Sequence, residues 1–318
     1  STIESSGQHS ARKSKPSNQF LCCDGVIRTL NNGISLNPCH PIKKSNVINW
    51  NDQSKILDYI FSNKLKTSLE DQQLMLTESP LTTRKQRKKT IELLFEQFQI
   101  NSLNIQPESL CSLFGVGLTS GTVIEIGQNS TRIASIIDQK LVPKSCSHIK
   151  VGGSDITDRL FSLFKLRQMN SKEFVDISDF QLNETLRNFK ANYCKVSKNI
   201  ARRRKLYNSE SCQYSTYTTK DGQTIQIQSE IYEPAEVLFD PSIVGGEGSG
   251  LIPMLFNNIA QADNNPVTRR AISEHVVLSG ATSLLPGLRE RIENDIRQMI
   301  KEEITGTNEH YFTSNDSL

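Results

Sequence analysis

The sequence of 318 residues has no apolar run approaching the about 20 residues that a membrane-crossing helix needs. It is also short of metal-binding patterns. Its five histidines are scattered, and its seven cysteines include no C-x-x-C pair. An odd cysteine count without metal spacing excludes a zinc cluster and a closed disulfide framework. It reads as reduced thiols in a cytosolic or nuclear protein. The first twenty residues hold no apolar stretch of the kind a secretory signal carries. A large charge of one sign is missing too. The net charge of +3 is too small to argue for direct nucleic-acid binding. Hydrophobic residues at 36% and charged residues at 22% suit a globular chain that buries a sizeable core, with more than one lobe at this length.

The charge is unevenly placed. Residues 1–45 carry six Lys/Arg and two Asp/Glu, so +4, against −1 for the remainder. Residues 1–20 are rich in Ser, Lys and Arg and are expected to be a disordered basic tail; 305–318 is polar and expected to fray. Gly25 to Leu36 has strand-like Val26-Ile27 and an Asn31-Asn32-Gly33 turn. Between the tails, apolar residues recur at helical spacing in Asp52–Asn63, in a helix capped by Thr82 or Thr83 and running to Phe98, and from Pro107 to Leu113. Asp155–Leu166, Asp179–Ile200, Gly250–Ala262 and Leu288–Ile304 show the same period. Asp179–Ile200 is the clearest, with Leu182, Leu186, Phe189, Tyr193, Val196 and Ile200 on one stripe. In the last helix Leu288, Ile292, Ile296, Met299 and Ile300 are expected to be buried. Leu74–Thr77 reads as a short buried strand. Asp221-Gly222 reads as a tight hairpin turn between Tyr214–Thr219 and Thr224–Ile227. The basic runs Arg84–Lys89 and Arg202–Lys205 read as solvated helix faces.

The chemistry gathers around residues 117–132. Thr122–Gly127 alternates as a half-buried strand, with Val123 and Glu125 on one face and Ile124 and Ile126 on the other. Gly127-Gln128-Asn129-Ser130 is a turn whose backbone amides suit an anion, and Thr131–Ile137 is the returning strand. Glu125 is placed to hold a cation paired with that anion. Val151-Gly152-Gly153-Ser154-Asp155 is a strand end leading into a helix. Val276–Leu278 runs into Ser279-Gly280-Ala281-Thr282 and then a further helix. Strand, small-residue loop, helix is how a nucleotide pocket brings backbone close to phosphate.

These three stretches, in this order and spacing, resemble the actin family from about Gly33 to about Glu303. So do Asn49-Trp50-Asn51-Asp52, Leu76-Thr77-Glu78-Ser79-Pro80-Leu81, Leu94-Phe95-Glu96-Gln97-Phe98, Asp221-Gly222-Gln223 and Pro234-Ala235-Glu236-Val237-Leu238-Phe239. The resemblance implies an α/β, ribonuclease H-like, actin-like ATPase fold. It would have two mixed sheets in two lobes, the first incomplete. Residues 21–118 would be a remnant of the first lobe, 119–178 with 242–304 the second-lobe core, and 179–241 an inserted outer subdomain. Val123–Ile126 and Val276–Leu278 should share a sheet.

The family holds ATP with a divalent cation between two glycine hairpins. Only the second hairpin, at Gly127, has a counterpart here; Leu21–Gly25 is too short for the first. The resemblance places Gly127, Gln128, Asn129, Ser130, Gly280, Ala281 and Thr282 around ATP. Gly153, Arg187 and Lys190 would lie on its adenine side. It also marks substitutions. Glu125 stands for an aspartate near the cation, with metal contact through water, and Gln128 for a second aspartate. Glu108 stands for the glutamine that positions the attacking water, Ala191 for a ribose-binding glutamate, Ala281 for a glycine and Leu285 for an aromatic on adenine. Weak or absent binding of ATP with Mg, and no effective catalysis by Glu108, are therefore expected.

Asp155-Ile156-Thr157, Leu255-Phe256-Asn257-Asn258-Ile259, Gln261-Ala262-Asp263 and Leu285-Pro286-Gly287-Leu288 resemble actin-related proteins that nucleate actin filaments. The partners implied are actin and other nucleation-complex subunits, in the cytoplasmic cytoskeleton. Two other readings stay open. One is an active ATPase, or filament-forming protein, of the wider superfamily that includes sugar kinases and heat-shock chaperones. The other is a nuclear actin-related subunit of a chromatin remodeller, compatible with the basic tail and Arg202–Lys205.

Overall fold

The computed structural model describes residues 39–43, 46–70, 72–166, 179–207, 214–218, 222 and 224–304. The basic tail, Leu21–Gly25, the turn at Asn31–Gly33 and residues 305–318 lie outside them.

The organising element is a four-stranded sheet. Strand β5 (Gly121–Ile126) turns back into β6 (Thr131–Ile137), which is followed by β7 (Lys140–Ile149). Strand β10 (Val276–Ser279), far along the chain, adds to the other side of β5. The order is β10-β5-β6-β7, with β10 parallel to β5 and the other pairs antiparallel. Val277 lies opposite Val123 and Leu278 opposite Ile124, so the two stretches expected to share a sheet do so.

The alternation in β5 sorts its side chains as expected. Ile124 and Ile126 enter the main core, while Val123 joins Ile136, Leu110 and Leu113 on the opposite face. The strand is not half-buried, however: all six residues are buried. Helix α3 (Glu108–Gly115) covers the Val123 face. The other face is covered by α4 (Gly153–Leu166), α8 (Leu251–Ala262) and α10 (Leu288–Ile304). Buried Asn258 of α8 anchors the sheet. Its amide accepts from Ser135 Oγ at 2.8 Å and donates to the Ile133 carbonyl at 3.2 Å and to that of Ser145.

A second, thinner unit precedes this sheet. A two-residue ladder joins β1 (Ile42–Lys43) to β2 (Asn46–Val47). Helix α1 (Trp50–Tyr59) is capped by Asn49 and continues as a π turn through Leu65. Strand β3 (Gln73–Glu78) leads into α2 (Arg84–Glu92), capped by Thr83, which passes through a π turn at Leu93–Gln97 into β4 (Ser102–Pro107). Strands β3 and β4 pair in parallel, and α2 is their crossover. The second sheet is thus a two-stranded parallel pair among the described residues, not a mixed one. Nor is β3 buried, because its core is only Leu69, Leu94 and Ile100 with partly covered neighbours, and Met75 points outward.

The stripe over Asp179–Ile200 does not form one helix. Helix α5 (Asp179–Tyr193) ends, and α6 (Ile200–Tyr207) starts afresh. Between them Lys195 N–H donates to the Ile231 carbonyl and Val196 N–H to that of Pro286, both at 2.8 Å. Two long-range backbone bonds hold this stretch extended while Val196 stays in the core. Arg202–Lys205 lies within α6 rather than after a long helix, and the guanidinium of Arg204 grips Glu233 through two bonds.

Strands β8 (Ser215–Thr218) and β9 (Thr224–Ile227) form the expected hairpin, and Thr218 pairs with Thr224. Of the expected turn at Asp221-Gly222 only Gly222 is among the described residues. Short α7 (Ser229–Tyr232) and a 3-10 helix, Glu233–Leu238, follow. A further helix, α9 (Pro266–Glu274), stands before β10 where no helix was expected. In α10 the buried residues are Leu288 and Ile292, whereas Ile300 is exposed. Ile296 and Ile300 line a cavity of about 690 Å³ between α8, α9, α10 and β10, away from the hairpin turn.

Glu236 shows how this core treats a carboxylate. It is buried beside Arg291, whose Nη1 lies 3.3 Å away, and Arg291 also donates to the Ser197 carbonyl and pairs with Asp295. Burial outweighs the arginine and raises the Glu236 pKa to about 7. The folded chain therefore binds this proton more tightly than the unfolded one. The stability it contributes is full below the ordinary glutamate range and is lost as pH rises through about 7. Glu236→Gln removes that dependence. Its stability relative to the wild type should rise by about 2 kcal/mol between pH 5 and pH 8, measured by denaturant unfolding.

Candidate functional site

Three loops meet at one end of the four-stranded sheet. The β5–β6 turn, Gly127–Ser130, is seated on the start of α4. Gly153 N–H donates to the Gly127 carbonyl at 2.9 Å and Ser154 N–H to the Gln128 carbonyl at 2.7 Å. Ser154 Oγ also donates to the Gln128 carbonyl, at 2.8 Å. The third loop follows β10. Gly280 turns there with φ +87°, against the Ile126 carbonyl, and Thr282 Oγ1 donates to the Gly127 carbonyl at 3.3 Å.

Glycine at 152 is required by the closeness of backbone, and at 153 it makes room for neighbouring side chains. A Cβ on Gly152 would lie 2.7 Å from the Gly127 carbonyl oxygen and from Ser130 N. One on Gly153 would lie 2.6 Å from Thr282 Oγ1 and 3.0 Å from Gln128 Oε1. Lys190 of α5 closes the group, its ammonium donating to the Gly153 carbonyl at 2.6 Å and to Thr157 Oγ1 at 3.0 Å. Burial, and then the charge of Arg187, lower the pKa of Lys190.

The structure thus brings together Gly127, Gln128, Asn129, Ser130, Gly153, Lys190, Gly280, Ala281 and Thr282. Arg187 stands apart: its side chain is half exposed and pairs with Glu184 on its own helix. The turn also differs from the expected anion cradle. Gly127 N–H is spent on the Ser130 carbonyl at 3.0 Å, and the carbonyls of Gly127 and Gln128 face the helix amides. Leu285, expected on the adenine side, is buried in the main core; its neighbour Leu284 is 81% exposed at this loop.

Beside the turn lies an ion-pair cluster. Glu125 at the end of β5, Arg132 at the start of β6 and Glu108 at the start of α3 come together. Arg132 Nη2 stands 2.5 Å from Glu108 Oε1, and Arg132 Nε stands 3.4 Å from Glu125 Oε2. Their side chains are 16%, 31% and 8% exposed in the order Arg132, Glu108, Glu125. Burial raises the Glu125 pKa to about 7, the nearby Glu108 charge adds to that, and Arg132 opposes it. Ser112 Oγ of α3 donates to Ser279 Oγ of β10 at 3.1 Å, and Ser279 is the ladder partner of Glu125.

Arg132 was not among the residues expected here, although a signal for it existed. A four-residue turn from Gly127 to Ser130 places Thr131 opposite Ile126, and therefore Arg132 opposite Glu125.

The cluster decides whether the residues present fit a divalent cation. Such an ion takes carboxylate oxygens directly or through its waters. Here both candidate carboxylates face one guanidinium. Among the described residues no three His, Cys, Asp or Glu side chains gather as a metal site. The donor set does not fit a divalent cation at Glu125.

A mixed sheet flanked by helices, with hairpin turn, helix start and strand-end loop converging at one end, is the architecture of the actin-like ATPase fold. The family model described as Actin matches residues 11–310, and the chain belongs to the actin family. It is similar to proteins named actin-related protein 2. It is 32% identical to "Actin-related protein 2" of Drosophila melanogaster, over 83% of this chain and 65% of that protein. Against "Actin-related protein 2" of Arabidopsis thaliana it is 31% identical, over 81% of this chain and 64% of that protein. Against the protein of that name from Acanthamoeba castellanii it is 30% identical, over 85% and 67%. The chain thus spans about two thirds of the length of these relatives. The actin family normally binds ATP with a divalent metal ion.

Proposed function

We propose that this chain is an actin-related structural subunit of a filament-nucleating assembly, a template rather than a turnover enzyme. It would hold adenine nucleotide weakly at most. Its partners would be actin and other actin-related or nucleation subunits, in the cytoskeleton. The similarity to proteins named actin-related protein 2 supports the first part. Among the described residues no helix is long and apolar enough to cross a membrane.

The observation that carries the second part is the pairing of Arg132 with both Glu108 and Glu125. Phosphoryl transfer depends on placing the terminal phosphate, a cation and the attacking water together. Glu108 occupies the position that the resemblance gives to the water-positioning side chain, and it is engaged by Arg132 instead. Its negative charge would also face the phosphate and work against productive placement.

The partner reading is tested by mixing the purified chain with purified actin and the remaining subunits of a nucleation complex. Co-elution with those subunits and stimulated filament branching are expected. Exclusive co-elution with chromatin-remodeller subunits in a parallel mixture, or ordered filaments of the chain alone pelleting in polymerising salt, would contradict it.

A further inference from the structure

Two acidic side chains, Glu108 and Glu125, converge from different elements beside the hairpin turn. Two neighbouring carboxylates in a poorly hydrated place repel one another, and either a proton on one of them or a cation between them relieves this. The chain supplies that cation itself. The hairpin register puts Arg132 on the strand position directly opposite Glu125, and its guanidinium reaches both carboxylates. A planar guanidinium with several donors suits this bridging task and stays charged at every relevant pH. A metal ion entering here would have to displace it. That would leave a largely buried arginine without its two partners, which opposes exchange.

We propose that Arg132 takes the place of a divalent cation at this site, so that the chain's carboxylates bind no metal and any adenine nucleotide enters without Mg. The inference rests on the reading of a weak nucleotide site at the neighbouring loops. It makes the cation requirement a property of one residue on β6 rather than of the glycine loops.

The experiment uses the full chain in two measurements. Mn²⁺ is titrated alone and followed by electron paramagnetic resonance, and a fluorescent ADP analogue is titrated in excess Mg²⁺ and in EDTA. Wild type should show no saturable Mn²⁺ site below about 1 mM, a weak limit for a carboxylate site. Its affinity for the ADP analogue should be the same in both buffers within about twofold, a free-energy difference too small to signal a bridging metal. Arg132→Gln, which removes the charge and keeps hydrogen-bonding capacity, should gain Mn²⁺ affinity by about tenfold or more. A saturable Mn²⁺ site in wild type, a tenfold gain in nucleotide affinity with Mg²⁺, or a folded Arg132→Gln chain that still ignores Mn²⁺ would each overturn the proposal. Circular dichroism shows whether the variant folds; should it not, the two wild-type titrations decide. Failure to bind the ADP analogue in either buffer would show that the nucleotide site is absent rather than weak, with the Mn²⁺ titration still deciding the role of Arg132.

Discussion

Arg132→Ala should destabilise the chain by about 3 kcal/mol at pH 8, the lower end of what breaking a buried pair costs. The lower end applies because Glu108 keeps some contact with water, its side chain being 31% exposed, whereas Glu125 keeps almost none at 8%. Removing the arginine leaves Glu125 buried next to a second carboxylate. The fold can relieve this only by protonating one of them. The loss should therefore shrink at pH 5, below the value of about 7 to which burial already pushes Glu125 in the intact protein. Denaturant melts of wild type and variant at both pH values measure the difference. An effect under about 0.5 kcal/mol at pH 8, typical of exposed pairs, would show that Arg132 is an ordinary surface charge.

Phe189→Ala should be at least as damaging, by about 3–5 kcal/mol, because it opens a cavity in a closed aromatic group. Phe189 is 1% exposed. Its ring meets Phe164 of α4 edge-on at 5.1 Å, stacks on Tyr193 at 5.0 Å and meets Tyr217 of β8 edge-on at 5.0 Å. One side chain thus joins α4, α5 and the β8–β9 hairpin. The next residue, Lys190, is the one whose ammonium holds the Gly153 carbonyl. Loosening Phe189 should loosen that contact too. Phe189→Leu keeps most of the volume and should lose much less. Equal losses for the two variants would mean that the ring packing is not what holds this junction.

The parts of the fold that were legible in the sequence are those set by local pattern. The alternation of Thr122–Gly127 gave away both the strand and which face each residue takes, because a strand's side chains alternate whatever covers them. Thr83 as a cap and the strand end at Gly152-Gly153 marked helix starts. What the pattern did not show came from contacts distant in the chain. The break between α5 and α6 is imposed by the carbonyls of Ile231 and Pro286, which outbid a well-formed helical stripe. Helix α9 is short, with Val267 exposed and only Ile272 buried, so its clearest local mark is Asn265-Pro266, a cap followed by a first-turn proline. At the site, the glycines drew attention because their positions are sterically strict. Arg132 did not, since an arginine on a strand has many harmless explanations. Only the hairpin register, set beside the placement of α3, shows that it faces two carboxylates.

The most direct measurement of the central claim is phosphate release from Mg-ATP by the full chain, with Glu125→Ala as the control. Loss of one preorganised group in such a site slows the reaction by about a hundredfold or more, and on the proposed reading the cation and water positions are both taken by the chain's own ion pairs. The expected result is no release above buffer in wild type or in the variant. Steady, Mg-dependent turnover by wild type that disappears in Glu125→Ala would contradict the account, because it would show Glu125 serving a working catalytic centre.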